Sequence, residues 1–210
     1  MTMNVPIKQV KDLRILLKDL EPRVKSPEFL RKGREFNNFS LRPREALGNW
    51  LLCVVGRHQT GRDLTFGEDP KGGDGMIIDR GDPASNALTE HVFVPHLMDG
   101  DINQAIINAI NSKSAKGSIY AGNRILVVFS EKVGMVLPSD LRRGIRESKV
   151  FKSIYLIALE KSADDGYIYW VTPLRTSSQY LTVHKVFIKP DFTDWRVELF
   201  EVIPNSYGFN

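Results

Sequence analysis

Residues 67–94, GEDPKGGDGMIIDRGDPASNALTEHVFV, read as two short strands joined by a loop. A carboxylate, Asp74, stands at the mouth of the first strand, and another, Glu90, near the start of the second. Side chains alternate between the faces of a strand. Asp74, Met76 and Ile78 therefore share one face, and Glu90, Val92 and Val94 share another, with His91 and Phe93 opposite. The offset between Asp74 and Glu90 is even, so any hairpin register with an even residue sum puts both acids on one side of the sheet. Two acids side by side among apolar residues repel unless a proton or a cation lies between them. The reading that follows is a divalent cation. Glycines 72, 73 and 75 surround Asp74 and allow a sharp turn or a close approach of the backbone.

Working outward, Ser40 can cap a helix in which Pro43 takes an early position and Glu45, Leu47, Trp50, Leu51, Val54 and Val55 follow. RDLTF (62–66) is an expected strand before the glycines. After the hairpin, 101–116 has the spacing of a helix, with Asp101 at its start and Gly117 as its C-cap. Its apolar row runs Ile102, Ile106, Ala109, Ile110. Lys113, seven residues after Ile106, lies about 20 degrees from that row at ~100 degrees per residue. An amine is thus expected to face the sheet. RILVVFS (124–130) is apolar enough for a strand buried on both faces. A short basic helix after Pro138 carries Arg142, Arg143, Arg146 and Lys149. Strands are then expected at 153–160, 167–174, 180–188 and 195–203.

Towards the N-terminus, residues 6–20 form an amphipathic helix with Val10, Leu13, Leu16, Leu17 and Leu20 on one stripe and Pro22 at its end. Residues 1–44 hold 11 Lys/Arg against 5 Asp/Glu, although the whole chain carries only +4. A basic helical arm (1–39) attached to one α/β domain (40–210) is the expected organisation. A basic arm beside an acidic site suits a protein acting on nucleic acid. The 210 residues, 42% apolar and 26% charged, are those of an ordinary globular chain. The one cysteine, Cys53, excludes a disulfide framework or a cysteine-rich zinc site. His58, in a loop with no second histidine nearby, gives no zinc site either. No apolar run is long enough to span a membrane and the first residues lack a signal-peptide core, so a cytoplasmic location is expected. Walker, GxGxxG, GxSxG and HExxH motifs are absent.

The order helix, three strands, helix, strand, with an aspartate entering the second strand and a glutamate on the third, resembles the PD-(D/E)XK nuclease superfamily. This is the core of many restriction endonucleases and Holliday-junction resolvases. The resemblance covers about residues 40–130. It implies a mixed sheet flanked by helices, here with extra C-terminal strands, and a Mg²⁺ (or Mn²⁺)-dependent nuclease acting on DNA. Carried over, Asp74 and Glu90 would be metal ligands, with the His91 carbonyl as a candidate third, and Glu45 would match the upstream helical acid. The sequence departs from the family in having GGDG for PD and Val92 where a lysine is expected two residues after the glutamate. Some members supply that lysine from the next helix, which makes Lys113 the counterpart. The basic helices would contact phosphates. The alternative is a non-catalytic nucleic-acid-binding or protein-interaction module on the same core. The strands after residue 150 offer a surface for a homodimer.

Overall fold

The computed structural model describes residues 12–26, 28, 30, 33, 40–69, 72–95, 101–131, 140–141, 144–145, 150–175 and 180–204. Among the described residues, four α-helices and eight strands follow in order: α1 (Leu13–Val24), α2 (Pro43–Thr60), β1 (Leu64–Gly67), β2 (Met76–Asp79), β3 (Ala87–Val94), α3 (Ile102–Ser114), the one-turn α4 (Ser118–Ala121), β4 (Arg124–Ser130), β5 (Ser153–Ala163), β6 (Gly166–Arg175), β7 (Tyr180–Ile188) and β8 (Trp195–Pro204). The protein is therefore of the mixed α/β class. All eight strands join one sheet in chain order. β1, β2 and β3 are antiparallel neighbours, β3, β4 and β5 are parallel, and β5 to β8 are antiparallel again. Parallel neighbours cannot be joined by a tight turn, and α3 makes the crossover between β3 and β4.

The sheet separates two cores. On one face, α1 and α2 pack with Phe66, Val127, Phe129, Ile157, Tyr169 and Val186. On the other, Ile106 and Ile110 of α3 pack with Leu126, Val128, Leu141, Ile145 and Leu156. α2 is buried continuously from Pro43 to Val55, consistent with its apolar residues facing in every direction. Its N-cap is Arg42, whose N–H donates to the Glu45 carboxylate (2.8 Å). Ser40 lies outside the helix, where its N–H donates to Glu68. Gly61, at φ 68, closes the other end in the left-handed conformation that favours glycine.

α1 continues past Pro22 to Val24, so the proline lies inside the helix instead of at its end. Its missing N–H leaves the carbonyl four residues back without a helical donor. Pro22 is on the exposed side, and burial of Leu20 and Val24 on either side holds the last turn. Residues 6–11 of the expected helix, and the basic residues Arg142, Arg143, Arg146 and Lys149, lie outside the described residues. On α3, Asp101 caps as expected, accepting from the Asn103 and Gln104 amides, but the C-cap is Ala115; Gly117, at φ 88, precedes α4. β1 begins two residues later than expected. The strands from β4 onward fall on their apolar runs with small extensions.

The expected arm and body share one core. Leu13, Leu16, Leu17, Leu20 and Val24 are buried with residues of α2 and the sheet, and Trp50 Nε1 donates to the Leu13 carbonyl (2.8 Å). No described helix is long and apolar enough to cross a membrane. Truncating fully buried Leu17 to alanine should cost about 2–5 kcal/mol. In a urea titration followed by tryptophan fluorescence, that loss should appear in one shared transition. A separate early transition for the N-terminal helix would contradict the shared core.

Candidate functional site

β2 and β3 pair with Met76 opposite Leu88 and Ile77 opposite Ala87. This even-sum register, continued outward, sets position 74 across from position 90. Three hydrogen bonds fix the loop that carries Asp74. The Thr89 N–H donates to the Gly75 carbonyl (2.8 Å), the His91 N–H to Asp74 Oδ2 (2.7 Å), and Asn49 Nδ2 to the Asp74 carbonyl (3.0 Å). Gly75, at φ 124, permits the last: a Cβ there would stand 2.4 Å from Asn49 Nδ2. Gly73 is needed for a different reason. Its Cβ would lie 2.3 Å from Asp69 Oδ2, and Asp69 is buried in an ion pair with Arg124 (3.0 Å) at the start of β4.

His91 sits beneath this loop on the α2 side. Its ring is buried against Gly48, where a Cβ would come within 2.8 Å of Cε1. Asn49 uses its amide N–H on Asp74, so its Oδ1 faces His91 Nε2 (3.1 Å), which must carry the proton. Burial, reinforced by the Arg44 and Lys113 charges, pushes the His91 pKa down to about 3. The ring is neutral, and its part is to orient Asn49 and the Asp74 loop. The main-chain N–H of His91 is committed to Asp74.

Glu90 points to the other face of the sheet. It is nearly buried, and its Oε1 forms an ion pair with Lys113 Nζ from the last turn of α3. The Tyr120 hydroxyl adjoins Glu90, and burial, with the nearby Glu90 carboxylate and the Asp74 charge, raises its pKa. Lys116 Nζ lies 3.3 Å from the same hydroxyl. Asp74 is half-buried. Its pKa is raised above the ordinary 3.8 by burial and by the Glu90 charge, against the His91 N–H and the Lys113 and Arg42 charges. Glu45 accepts from Arg42 at the start of α2; burial and, more weakly, the Asp74 charge raise its pKa also. Asp74, Glu90 and Lys113 thus form one electrostatic group, with Glu45 at its margin as a helix cap.

Sequence reasoning missed Tyr120, Asn49 and the Asp69–Arg124 pair. Tyr120 precedes Arg124 by four residues, and its carbonyl accepts from Arg124 Nε (3.0 Å), but nothing local in the sequence ties either to position 69 or 90. His58 also proves different from expectation. It lies on α2, and its ring is 6.0 Å from that of His184 on β7, with Gln59 Nε2 3.4 Å from His184 Nε2. The pair is separated by 126 positions in the chain, beyond any local motif. Among the described residues no group of three or more His, Cys, Asp or Glu side chains is arranged to hold a metal ion. The chain matches no protein-family model, no curated protein and no solved structure.

The raised pKa of Asp74 has a consequence for stability. A carboxyl that binds its proton more tightly when folded adds stability below its ordinary pKa of 3.8 and loses it as pH rises through the higher folded value. Asp74→Asn keeps an oxygen for the His91 N–H and cannot ionise. Its Tm should exceed that of the wild type at pH 7, and the gap should close as the pH approaches 3.8 in paired melting scans. Identical melts across that range would show that Asp74 is not held in an unfavourable charged state.

Proposed function

We propose that the protein is a metal-dependent nuclease hydrolysing DNA phosphodiester bonds, built on a restriction endonuclease-like core. The carrying observation is the ion pair between Glu90 on β3 and Lys113 on α3, beside Asp74 at the mouth of β2. The strand directions add support: an antiparallel trio followed by a parallel fourth strand, with α2 (joined by α1) on one face and α3 on the other, is the order expected of that core.

The donor set fits Mg²⁺ or Mn²⁺. Mg²⁺ is commonly held by one or two carboxylates, with waters and phosphate oxygens completing its shell, so a closed cage of three acidic side chains is not required. Burial and the neighbouring Glu90 charge both disfavour ionised Asp74, which is the electrostatic setting a bound cation relieves. Asp74 and Glu90 would hold the ion, which supplies an activated water and charge stabilisation when bound. Lys113 neutralises charge that grows on the phosphoryl group and orients water, taking the place of the lysine absent at Val92. Val92 itself packs against the α3 core. Tyr120, whose hydroxyl adjoins Glu90, would help to position that carboxylate. Asn49 and His91 keep the Asp74 loop closed. DNA would be drawn to the site by the basic N-terminal segment and the basic stretch 142–149, and a second copy of the chain could pair along the C-terminal strands.

One observation favours the alternative of a non-catalytic module: Lys113 already neutralises Glu90, so the pair is electrostatically satisfied as it stands. Cleavage separates the two readings. With Mn²⁺ and a mixed set of duplex, junction and single-stranded DNA, the wild type should cleave at least one substrate. Glu90→Ala and Lys113→Met should each lower the rate by about 100-fold or more. Mn²⁺ should also raise the wild-type Tm, and Asp74→Ala should lose that rise. DNA bound without cleavage, with no response to Mn²⁺, would leave the non-catalytic module.

A further inference from the structure

The two edges of the sheet differ. At one, β1 has four residues, three of them buried. At the other, β8 has ten, and among the described strands it pairs with β7 alone. Residues 198–202 of β8 are all exposed, Leu199 at 52% and Phe200 at 53%. A long edge strand with exposed apolar side chains is a template for another strand.

The β7–β8 turn fixes which backbone groups of β8 face outward. The Lys189 N–H donates to the Asp194 carbonyl (3.1 Å), and this pair continues the register that sets Ile188 against Trp195. Bonded and non-bonded pairs alternate along an antiparallel ladder. Arg196 and Glu198 therefore bond to β7, and the N–H and C=O of Val197 and Leu199 point away from it. So does the Trp195 carbonyl; the Trp195 N–H adjoins the Asp194 carboxylate. The register is unbroken to Leu199, which faces His184; Phe200 is then an extra residue before Glu201 faces Val183. A bulge of this kind bends the strand, so the straight part of β8 is Trp195 to Leu199. Trp195 and Val197 lie on the α2 face, Trp195 edge-on to Trp50 (5.2 Å), and by alternation Leu199 does too. On the opposite face, Arg196 rests over the Phe187 ring and pairs with Glu198 (2.8 Å).

We propose that β8 pairs antiparallel with β8 of a second copy of the chain, across a two-fold axis at Val197. The stretch WRVEL (195–199) is complementary to itself when turned end for end. Trp195 meets Leu199 of the second copy, Arg196 meets Glu198, and Val197 meets Val197. The outward backbone groups fall into phase. Each Val197 N–H donates to the other Val197 carbonyl, and each Leu199 N–H to the other Trp195 carbonyl. Side by side on one face, the two Arg196 and two Glu198 side chains make a ring of alternating sign. On the other face, apolar side chains meet apolar ones. Charge also fixes the register. Moving the axis one residue either way would set Arg196 or Glu198 against its own copy, like charges face to face. The contact is isologous and closes on itself, so it consumes the edge without growing into a fibre. The proposal stands apart from the nuclease reading, because it uses none of Asp74, Glu90 and Lys113 and its test reads assembly instead of cleavage.

The test is sedimentation of the full chain and its charge variants. A single strand pair buries little surface, so the wild type should pass from monomer to dimer over about 5–200 µM. Arg196→Glu alone and Glu198→Arg alone should each weaken dimerisation about tenfold or more, because each sets like charges opposite one another. An equal mixture of the two variants should dimerise as the wild type does, and so should the double variant Arg196→Glu/Glu198→Arg. Both side chains are largely exposed, so neither change threatens the fold. A monomer throughout, leaving the edge to some other strand, overturns the proposal. So does a dimer that the single variants leave intact, or one that neither mixing nor the double variant restores.

Discussion

An ionised carboxylate in the middle of a sheet needs an opposite charge nearby, and Glu90 finds it in Lys113. That contact follows from the connection between β3 and β4. Because the two strands are parallel, the chain must travel back along the sheet before β4 can start. The 13-residue α3 makes that journey, so its last turn arrives over the body of β3. Lys113, close to the helix's apolar row, then reaches Glu90 instead of solvent. Asp74 is brought alongside by the antiparallel register on the other edge of the same strand. β3 pairs in both senses, antiparallel to β2 and parallel to β4, as β5 does further along the sheet, and the charged group gathers around β3.

Much of this was legible because it depends on period. The alternation of β3, the even offset from Asp74, and the phase of Lys113 on its helix are properties of neighbours in the chain. So were the long strands β4 to β8, whose apolar runs stand out between turn residues. What escaped depends on partners far apart. Asp69 meets Arg124, Asn49 meets His91, and His58 meets His184, with no local pattern announcing any of them. The helix ends escaped for a subtler reason. Pro22 and Ser40 carry ordinary boundary signals, but burial of Val24 and the carboxylate of Glu45 set the actual limits. Local preference is weak beside tertiary packing.

The glycines around Asp74 show how one residue type can answer different demands. Gly75 holds a left-handed backbone and leaves room for the Asn49 amide, whereas Gly73 leaves room for a buried ion pair. Gly48, on a helix interior where glycine is otherwise unfavourable, makes space for the His91 ring. Together they let α2, β3 and the loop approach closely enough for Asn49 to bridge all three. The result is a polar layer inside the fold whose members are mostly satisfied by one another. Within it Thr89 Oγ1 and His91 Nδ1 have no hydrogen-bond partner among the described residues, as is true of Arg44 Nε and Tyr169 Oη nearby.

The basic character of the N-terminal helix takes on another meaning in three dimensions. Lys18 donates to the Asp191 carbonyl, Arg14 lies 3.5 Å from Asp194 and 5.3 Å from the Trp195 ring, and Lys25 stands over the Phe192 ring. Phe192, at φ 54 and wholly buried, bends the β7–β8 turn up to meet them. These cations therefore act as clasps between the two ends of the described chain. Any polyanion drawn to this side of the molecule must compete with an acidic turn already gripping the same side chains, so its arrival would trade an internal fastening for an external one.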